Sequence, residues 1–183
     1  MEDGPVETLS GNPSAISFRP LRRSDFPHLQ KWLSAPHVAA WWNEPADIAS
    51  IEAKYGPVID GREPIYVYVI QNAGVAIGWI PWYRWSDFRA HAVRLGADLC
   101  AAGIDLAIGE LEMTGRGLGP KVIREFGERH IFVNDDVCAI VADPATDNSR
   151  SVRAFRNASF EIVRSVRLEG ESFERSVVRL ERR

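Results

Sequence analysis

The sequence predicts an α+β (mixed α/β) fold, a mixed sheet with helices on its faces, and three observations predict it. Runs alternating with period two and rich in β-branched and aromatic residues recur from Ile16 to Leu180, about seven in all. Amphipathic runs at helical spacing stand between them. A turn of alternating glycines, Gly115-Arg116-Gly117-Leu118-Gly119-Pro120, joins a strand-like run to one of the helices.

Taken in order, Ile16-Ser17-Phe18-Arg19 alternates like a short strand, and Ser24 or Asp25 then caps a helix carrying Phe26, Leu29, Trp32 and Leu33 on one face. Pro36 ends it, and a second short helical piece runs from His37 to about Trp42. Ile65 to Ile70 and Val75 to Trp85 read as adjacent antiparallel strands with Asn72-Ala73-Gly74 as their hairpin turn. Gly103 to Met113 reads as one strand, with Ile104, Leu106 and Ile108 pointing one way and Asp105, Ala107 and Gly109 the other. That places a carboxylate on a face of very small residues. After the glycine turn, Val122, Ile123, Phe126 and His130 recur at helical spacing through about Phe132. Val137 to Ala142 is a buried-strand pattern stopped by Asp143-Pro144, and Asn148 caps a helix running to about Asn157. Phe160 to Leu168 and Phe173 to Leu180 alternate around Glu169-Gly170-Glu171, a closing hairpin.

A chain of 183 residues suits a single core, so residues 16–183 are expected to form one domain, with the Gly-, Pro- and Ser-containing residues 1–15 as a poorly ordered extension. With 45% hydrophobic and 26% charged residues the composition is that of an ordinary globular protein. A net charge of -3, with arginines and carboxylates interleaved, excludes the basic stripe that nucleic-acid binding needs. No apolar run approaches a membrane span, and the acidic opening lacks the basic start of a signal peptide. Cys100 and Cys138 lack metal or CxxC spacing and lie in apolar surroundings, which predicts buried free thiols and a reducing, cytoplasmic location. The four histidines show no metal-ligand spacing, so no metal is expected.

The glycine turn is read as an anion cradle. Glycines let successive N–H groups face one concavity, and the positive end of the following helix adds to the attraction. Pro120 fits the first helical turn, where its missing N–H leaves no bond unmade.

These residues resemble the GCN5-related N-acetyltransferase superfamily from about Ile16 to Arg179. Thr114-Gly115-Arg116-Gly117-Leu118-Gly119 resembles the (Gln/Arg)-x-x-Gly-x-Gly/Ala acyl-CoA signature, with Thr114 in the Gln/Arg slot. Asn148 to Phe155 followed by Ser159-Phe160 resembles the later Asn-x-x-Ala-x-x-x-Tyr…Gly-Phe motif, with Phe155 in the tyrosine slot. Within the superfamily, Trp41-Trp42, Gly103-Ile104-Asp105 and Asp143-Pro144 before Asn148 resemble the aminoglycoside 6'-N-acetyltransferases, whereas residues 85–102 do not match that group's acidic, aromatic substrate loop.

The resemblance implies a central, mostly antiparallel sheet with helices on both faces, acetyl-CoA as cofactor, and an amine of an aminoglycoside or another polyamine as substrate, the protein acting as monomer or homodimer. It implies that Ile108, Gly115, Arg116, Gly117, Leu118, Gly119, Pro120, Asn148 and Phe155 contact the cofactor, and that Asp105 binds the amine and accepts its proton. Phe155 cannot protonate a departing thiolate as the family's tyrosine is thought to do, so packing is its expected role. Trp41, Trp42, Asp143 and Glu169 are the further substrate contacts, since indole stacks on a sugar face and carboxylates meet ammonium groups. At helical spacing the two tryptophans point about 100° apart, so one is expected in the core and one in the cleft. Trp79, Trp82 and Trp85 read as core or hairpin-surface aromatics rather than ligand contacts, and Asp87 and Glu44 as weaker acidic candidates. A transferase of the same fold acting on a hydroxylysine-type precursor, an amino sugar or a protein amino terminus, and a non-catalytic acyl-CoA sensor, are the alternative readings.

Overall fold

A computed structural model describes residues 16–182, so the predicted extension 1–15 lies outside the described residues. In chain order the elements are β1 (Ile16–Pro20), α1 (Phe26–Leu33), α2 (Pro36–Trp42), α3 (Ile48–Ile59), β2 (Ile65–Asn72) and β3 (Val75–Arg84). They continue with α4 (Arg89–Leu95), β4 (Ala102–Ile104), β5 (Ala107–Ile108), α5 (Leu118–Phe126), β6 (Ala139–Ala142), α6 (Ser149–Asn157), β7 (Glu161–Val166) and β8 (Arg175–Glu181). The sheet has eight strands in the order β1-β2-β3-β4-β6-β8-β7, with β5 paired to β3. Every pairing is antiparallel except β4 with β6, which gives the mixed, mostly antiparallel sheet.

Period-two alternation sorts the strand side chains onto two faces, and helices cover both. Val122, Ile123 and Phe126 of α5 and Phe155 of α6 pack on Ile70, Ile77 and Ile140. On the opposite face Leu29, Trp32 and Leu33 of α1 and Ile51 and Tyr55 of α3 pack on Val67, Val69 and Trp79. Each large side chain so buried contributes roughly 1.5–3 kcal/mol. A third cluster at the far end joins Trp85, Ala92 and Leu95 to Val141 and Val177. Trp79, Trp82 and Trp85 are thus core residues, the first of the two places their pattern allows. The Ala73-Gly74 turn has φ of 50° and 80°, the left-handed pair that suits a tight hairpin.

The structure departs from the sequence reading in four places. Helix α3 is not signalled by its sequence because Gly56-Pro57 lies in its last turns; Asp47 caps its start, accepting from Ser50 N–H at 2.9 Å. Helix α4 lies within residues 85–102, the stretch that does not match the acidic, aromatic substrate loop of the aminoglycoside group, and ends at Gly96 in the left-handed conformation. The run 103–113 is two short strands and a single turn of 3-10 helix rather than one strand, because the backbone breaks at Asp105. Finally, Cys100 and Cys138 are not free thiols: they form a disulfide with Cα atoms 5.5 Å apart. Tertiary pairing at the base of β6, where Cys138 N–H donates to the Cys100 carbonyl at 3.0 Å, brings together residues whose spacing gives no hint of it. The free-thiol argument for a reducing compartment therefore falls away.

Candidate active site

Strands β4 and β6 run parallel for only two residue pairs, Ala102 with Ile140 and Gly103 with Val141. Beyond them the chains part. Asp105 N–H donates to the Pro81 carbonyl at 3.1 Å, and β5 follows β3 through Gly78 and Ile108, while β6 ends at Ala142 and turns at Asp143-Pro144. The result is a wedge in the sheet with Asp105 on one lip and Asp143 on the other. On β5 the Ile108 carbonyl accepts a hydrogen bond from His37 Nε2 at 3.1 Å, which ties α2 to the wedge.

The very small residues flanking Asp105 make room for the protein's own rings. A Cβ on Gly103 would stand 2.3 Å from the Tyr83 ring, and one on Gly109 would stand 2.1 Å from the Trp32 indole. The Tyr83 ring thus stands close to Asp105, which lies on a half-buried stretch. Burial pushes its carboxyl up to about 6, against the opposing pull of Arg175 and Lys54, with Glu44 adding to the rise. Asp143 is only 7% exposed; burial and the neighbouring Asp105 push it up to about 7, while Arg175 holds it down. Tyr83, partly buried and within reach of both carboxylates, is raised by desolvation and by their charges.

Arg175 sits at the centre of this cluster. Its Nη1 donates to Asp143 Oδ2 at 2.9 Å and to the Asp143 carbonyl at 3.2 Å, and its Nε and Nη2 each meet the Glu171 carboxylate at 2.7 Å. His91 Nε2 lies 4.0 Å from Asp143 Oδ2, and burial together with Arg94 and Arg175 lowers its pKa. On the other side of Asp105, Glu44 pairs with Lys54 and accepts from the Tyr55 hydroxyl at 3.1 Å. That pair lines a cavity of about 360 Å³ with Pro45, Ser50 and Tyr55.

The glycine turn has the geometry of a cradle. Gly115 and Gly117 have φ of +70° and +73°, and a Cβ on either would meet nothing within 4 Å, so their concave side is open. Gly117 is the N-cap of α5, and the first-turn N–H groups of Leu118 and Gly119 have no intrahelical acceptor by construction. Pro120 falls in that first turn, as its sequence position implies. Arg116 is exposed and forms no ion pair among the described residues. Open N–H groups, a helix dipole and a free cation fit a diphosphate. Gly119 faces α6, where its Cβ would lie 3.3 Å from the Ala154 side chain.

The other sequence candidates divide. Trp42 turns inward, edge-on to Trp79 at 4.7 Å, while Trp41 is 48% exposed, so the pair splits between core and surface. Asn148 is a helix cap: its Oδ1 accepts from Ser151 N–H at 3.1 Å, leaving its amide NH2. Phe155 is 2% exposed and packs edge-on to Phe160 at 5.1 Å. Glu169 is exposed in the β7–β8 connection, and the carboxylate of that hairpin that joins the cluster is Glu171. Glu171, Arg175, Tyr83 and Lys54 are the site residues the sequence reading missed. The spacing of Glu171 and Arg175, four apart across a turn, is the only local signal that could have raised them.

A family model described as an acetyltransferase (GNAT) domain matches residues 22–168. Aminoglycoside N(6')-acetyltransferase type 1 of Klebsiella pneumoniae is 26% identical over 164 residues, covering 84% of this chain and 77% of that protein. The crystal structure of aminoglycoside acetyltransferase AAC(6')-Ib in complex with coenzyme A and kanamycin superposes with a TM-score of 0.77 at 25% identity, over 92% of this chain and 95% of that one. Spermidine N-acetyltransferase from Vibrio cholerae shares the fold, with a TM-score of 0.70 at 15% identity over 91% of this chain and 95% of that one.

Proposed function

The chain belongs to the GNAT acetyltransferase family, and from that premise we propose that it transfers an acetyl group from acetyl-CoA to the 6'-amino group of an aminoglycoside. The observation that carries this reading is Asp105, a half-buried carboxylate with its pKa raised to about 6, standing where β4 parts from β6 and ten residues before the open cradle at Gly115. The similarity to aminoglycoside acetyltransferases over most of the chain supports the choice of amine.

Gly115 to Gly119 and Arg116 would hold the diphosphate of the cofactor, and β5 at Ile108, on the side away from β3, would lie along its acyl arm. Acetyl-CoA, when bound, supplies the activated thioester carbonyl. The protein's own residues do the rest. Asp105 binds the incoming ammonium, and its raised pKa brings it closer to that of the amine, so proton transfer to its carboxylate, direct or through one water, yields the neutral nucleophile. Tyr83 limits water around that carboxylate, and Asp105, Asp143 and Glu171 share the single guanidinium of Arg175, so the wall keeps a net negative balance that attracts a polyamine. Trp41 offers an exposed indole for a sugar face. Holding both reactants in register can supply roughly 7–11 kcal/mol of the barrier reduction. An enzyme fed by acetyl-CoA works where that thioester is made, so we place it in the cytoplasm.

The test is thiol release from acetyl-CoA with kanamycin, tobramycin and non-antibiotic amines, the product's acetylated position being read by NMR. Release with kanamycin and a 6'-N-acetyl product are expected; release only with non-antibiotic amines would move the substrate elsewhere in the family. Binding of CoA with no thiol release from any amine would make the protein a sensor.

A further inference from the structure

Arg175 is held as a substrate cation would be held. Its guanidinium fills the Asp143 and Glu171 carboxylates with bonds of 2.7 to 2.9 Å and lies 4.9 Å from the centre of the Phe173 ring, a carboxylate-and-aromatic cage made for a positive group. Asp105, by contrast, accepts no side-chain hydrogen bond among the described residues, although Arg175 is near enough to act on its charge. One carboxylate of the cluster is open and two are already satisfied. His91, the other basic group against Asp143, is biased toward its neutral form by burial and by Arg94 and Arg175, so it does not duplicate the guanidinium.

We propose that Arg175 is a specificity-determining residue: a built-in cation that occupies the Asp143–Glu171 pair, leaves Asp105 as the carboxylate open to the reacting amine, and thereby limits how much additional positive charges on the substrate add to its binding. The inference rests on the amine-acetylating reading of Asp105. A polycationic substrate must either forgo the Asp143–Glu171 pair or displace a bidentate arginine, whereas a substrate with one ammonium needs only Asp105. Within a set of amines sharing the same reacting ring, Arg175 compresses the advantage of the more highly charged members.

The experiment compares kanamycin A with 6-amino-6-deoxyglucose, a monoamine carrying the same kind of reacting ring, and reads the ratio of their kcat/KM values by thiol release. Arg175→Gln, which keeps a donor for Asp143, is expected to raise the kanamycin-to-monoamine ratio about tenfold, mainly through KM for kanamycin. Arg175→Lys retains the charge and is expected to stay near the wild-type ratio. Glu171→Gln, on a partly exposed turn and safe for folding, removes a negative charge while keeping Arg175 and is expected to lower the ratio. An equal loss on both amines in Arg175→Gln, or an unmoved ratio in Glu171→Gln, would overturn the proposal while leaving the enzyme's activity on aminoglycosides standing. Should neither amine be acetylated, the aminoglycoside reading fails, and calorimetric titration of the same two amines into the CoA complex reads the same ratio as dissociation constants. Absence of binding by both amines would overturn this inference as well.

Discussion

The two ends of the candidate site are built on opposite plans. At the start of α5 the polar groups are unspent: the left-handed glycines 115 and 117 face open space, and the first-turn N–H groups await an acceptor. Around Asp105 nearly every charge has an internal partner, with Arg175 on Asp143 and Glu171 and Lys54 on Glu44, and Asp105 is the exception. Backbone donors can wait in solvent without cost, because water satisfies them until a phosphate arrives. Carboxylates brought close together cannot, because their mutual repulsion and desolvation demand a counter-charge. Under the proposed function, the difference makes the anion end a template and the amine end an exchange site, in which a substrate ammonium would meet the one carboxylate without a side-chain partner among the described residues.

The hardest blow to that contrast falls on Asp105. Asp105→Asn keeps the shape and removes the open carboxylate, so kcat/KM for the amine is expected to fall by about 10² to 10⁴, with the acid limb near pH 6 lost from the residual activity. Stability moves the other way. Because the folded-state pKa is raised to about 6, the folded protein holds the proton more tightly than the unfolded chain, and that contribution is complete below about pH 4 and lost as pH rises through 6. The asparagine variant escapes the loss. Thermal unfolding at about pH 7.5 should show it more stable by roughly 1–3 kcal/mol, with the gap closing toward pH 4. A variant that is inactive and equally destabilised at both pH values would make Asp105 a structural residue.

A change at the other end should touch only the cofactor. Gly117→Ala places a Cβ in a left-handed conformation but against no neighbour, so the fold loses only about 1 kcal/mol. The methyl group and the strained turn would act on the bound diphosphate, and KM for acetyl-CoA is expected to rise about tenfold while KM for the amine stays put. Equal changes in both constants, measured by initial rates with each substrate varied in turn, would mean that the two ends are not separable as described.

The same contrast explains how much was readable from sequence. A glycine turn before a helix is local chemistry: φ, dipole and cap are all set within a few residues, so Gly115 to Pro120 carry their meaning in their order. Six of the eight strands and four of the six helices were legible for the same reason, since periodicity is local. The amine end is assembled from β3, α3, α4, the break after β4, the end of β6 and the start of β8. Asp105 and Asp143 were reachable through the family resemblance, but Glu171 and Arg175 acquire their roles only when a hairpin folds back beside β6. Glu169, two residues from Glu171, shows the limit: the sequence points to the turn, and only the fold shows that Glu171 is the carboxylate of that turn that meets Arg175. The disulfide is the extreme case, a contact between residues 38 apart with no spacing signal.

The smallest effect is expected where the sequence departs from its family, at Phe155. The ring is 2% exposed and packed against Phe160 between α6 and the sheet, in the apolar cluster with Val122 and Phe126. Were protonation of the departing thiolate a slow step that this chain simply lacks a group for, Phe155→Tyr would supply the hydroxyl and raise kcat several-fold. The packing argues for the opposite outcome. A hydroxyl added inside that cluster gains no acceptor among the neighbouring apolar side chains and costs about 1–3 kcal/mol for its desolvation. The expected result is a lowered unfolding temperature with kcat within about twofold of the wild type, because a thiolate leaves readily without prior protonation and then takes its proton from water. A large gain in kcat, measured by thiol release at saturating amine, would instead place Phe155 at the cofactor's sulfur and extend the open, template-like end of the site inward along α6.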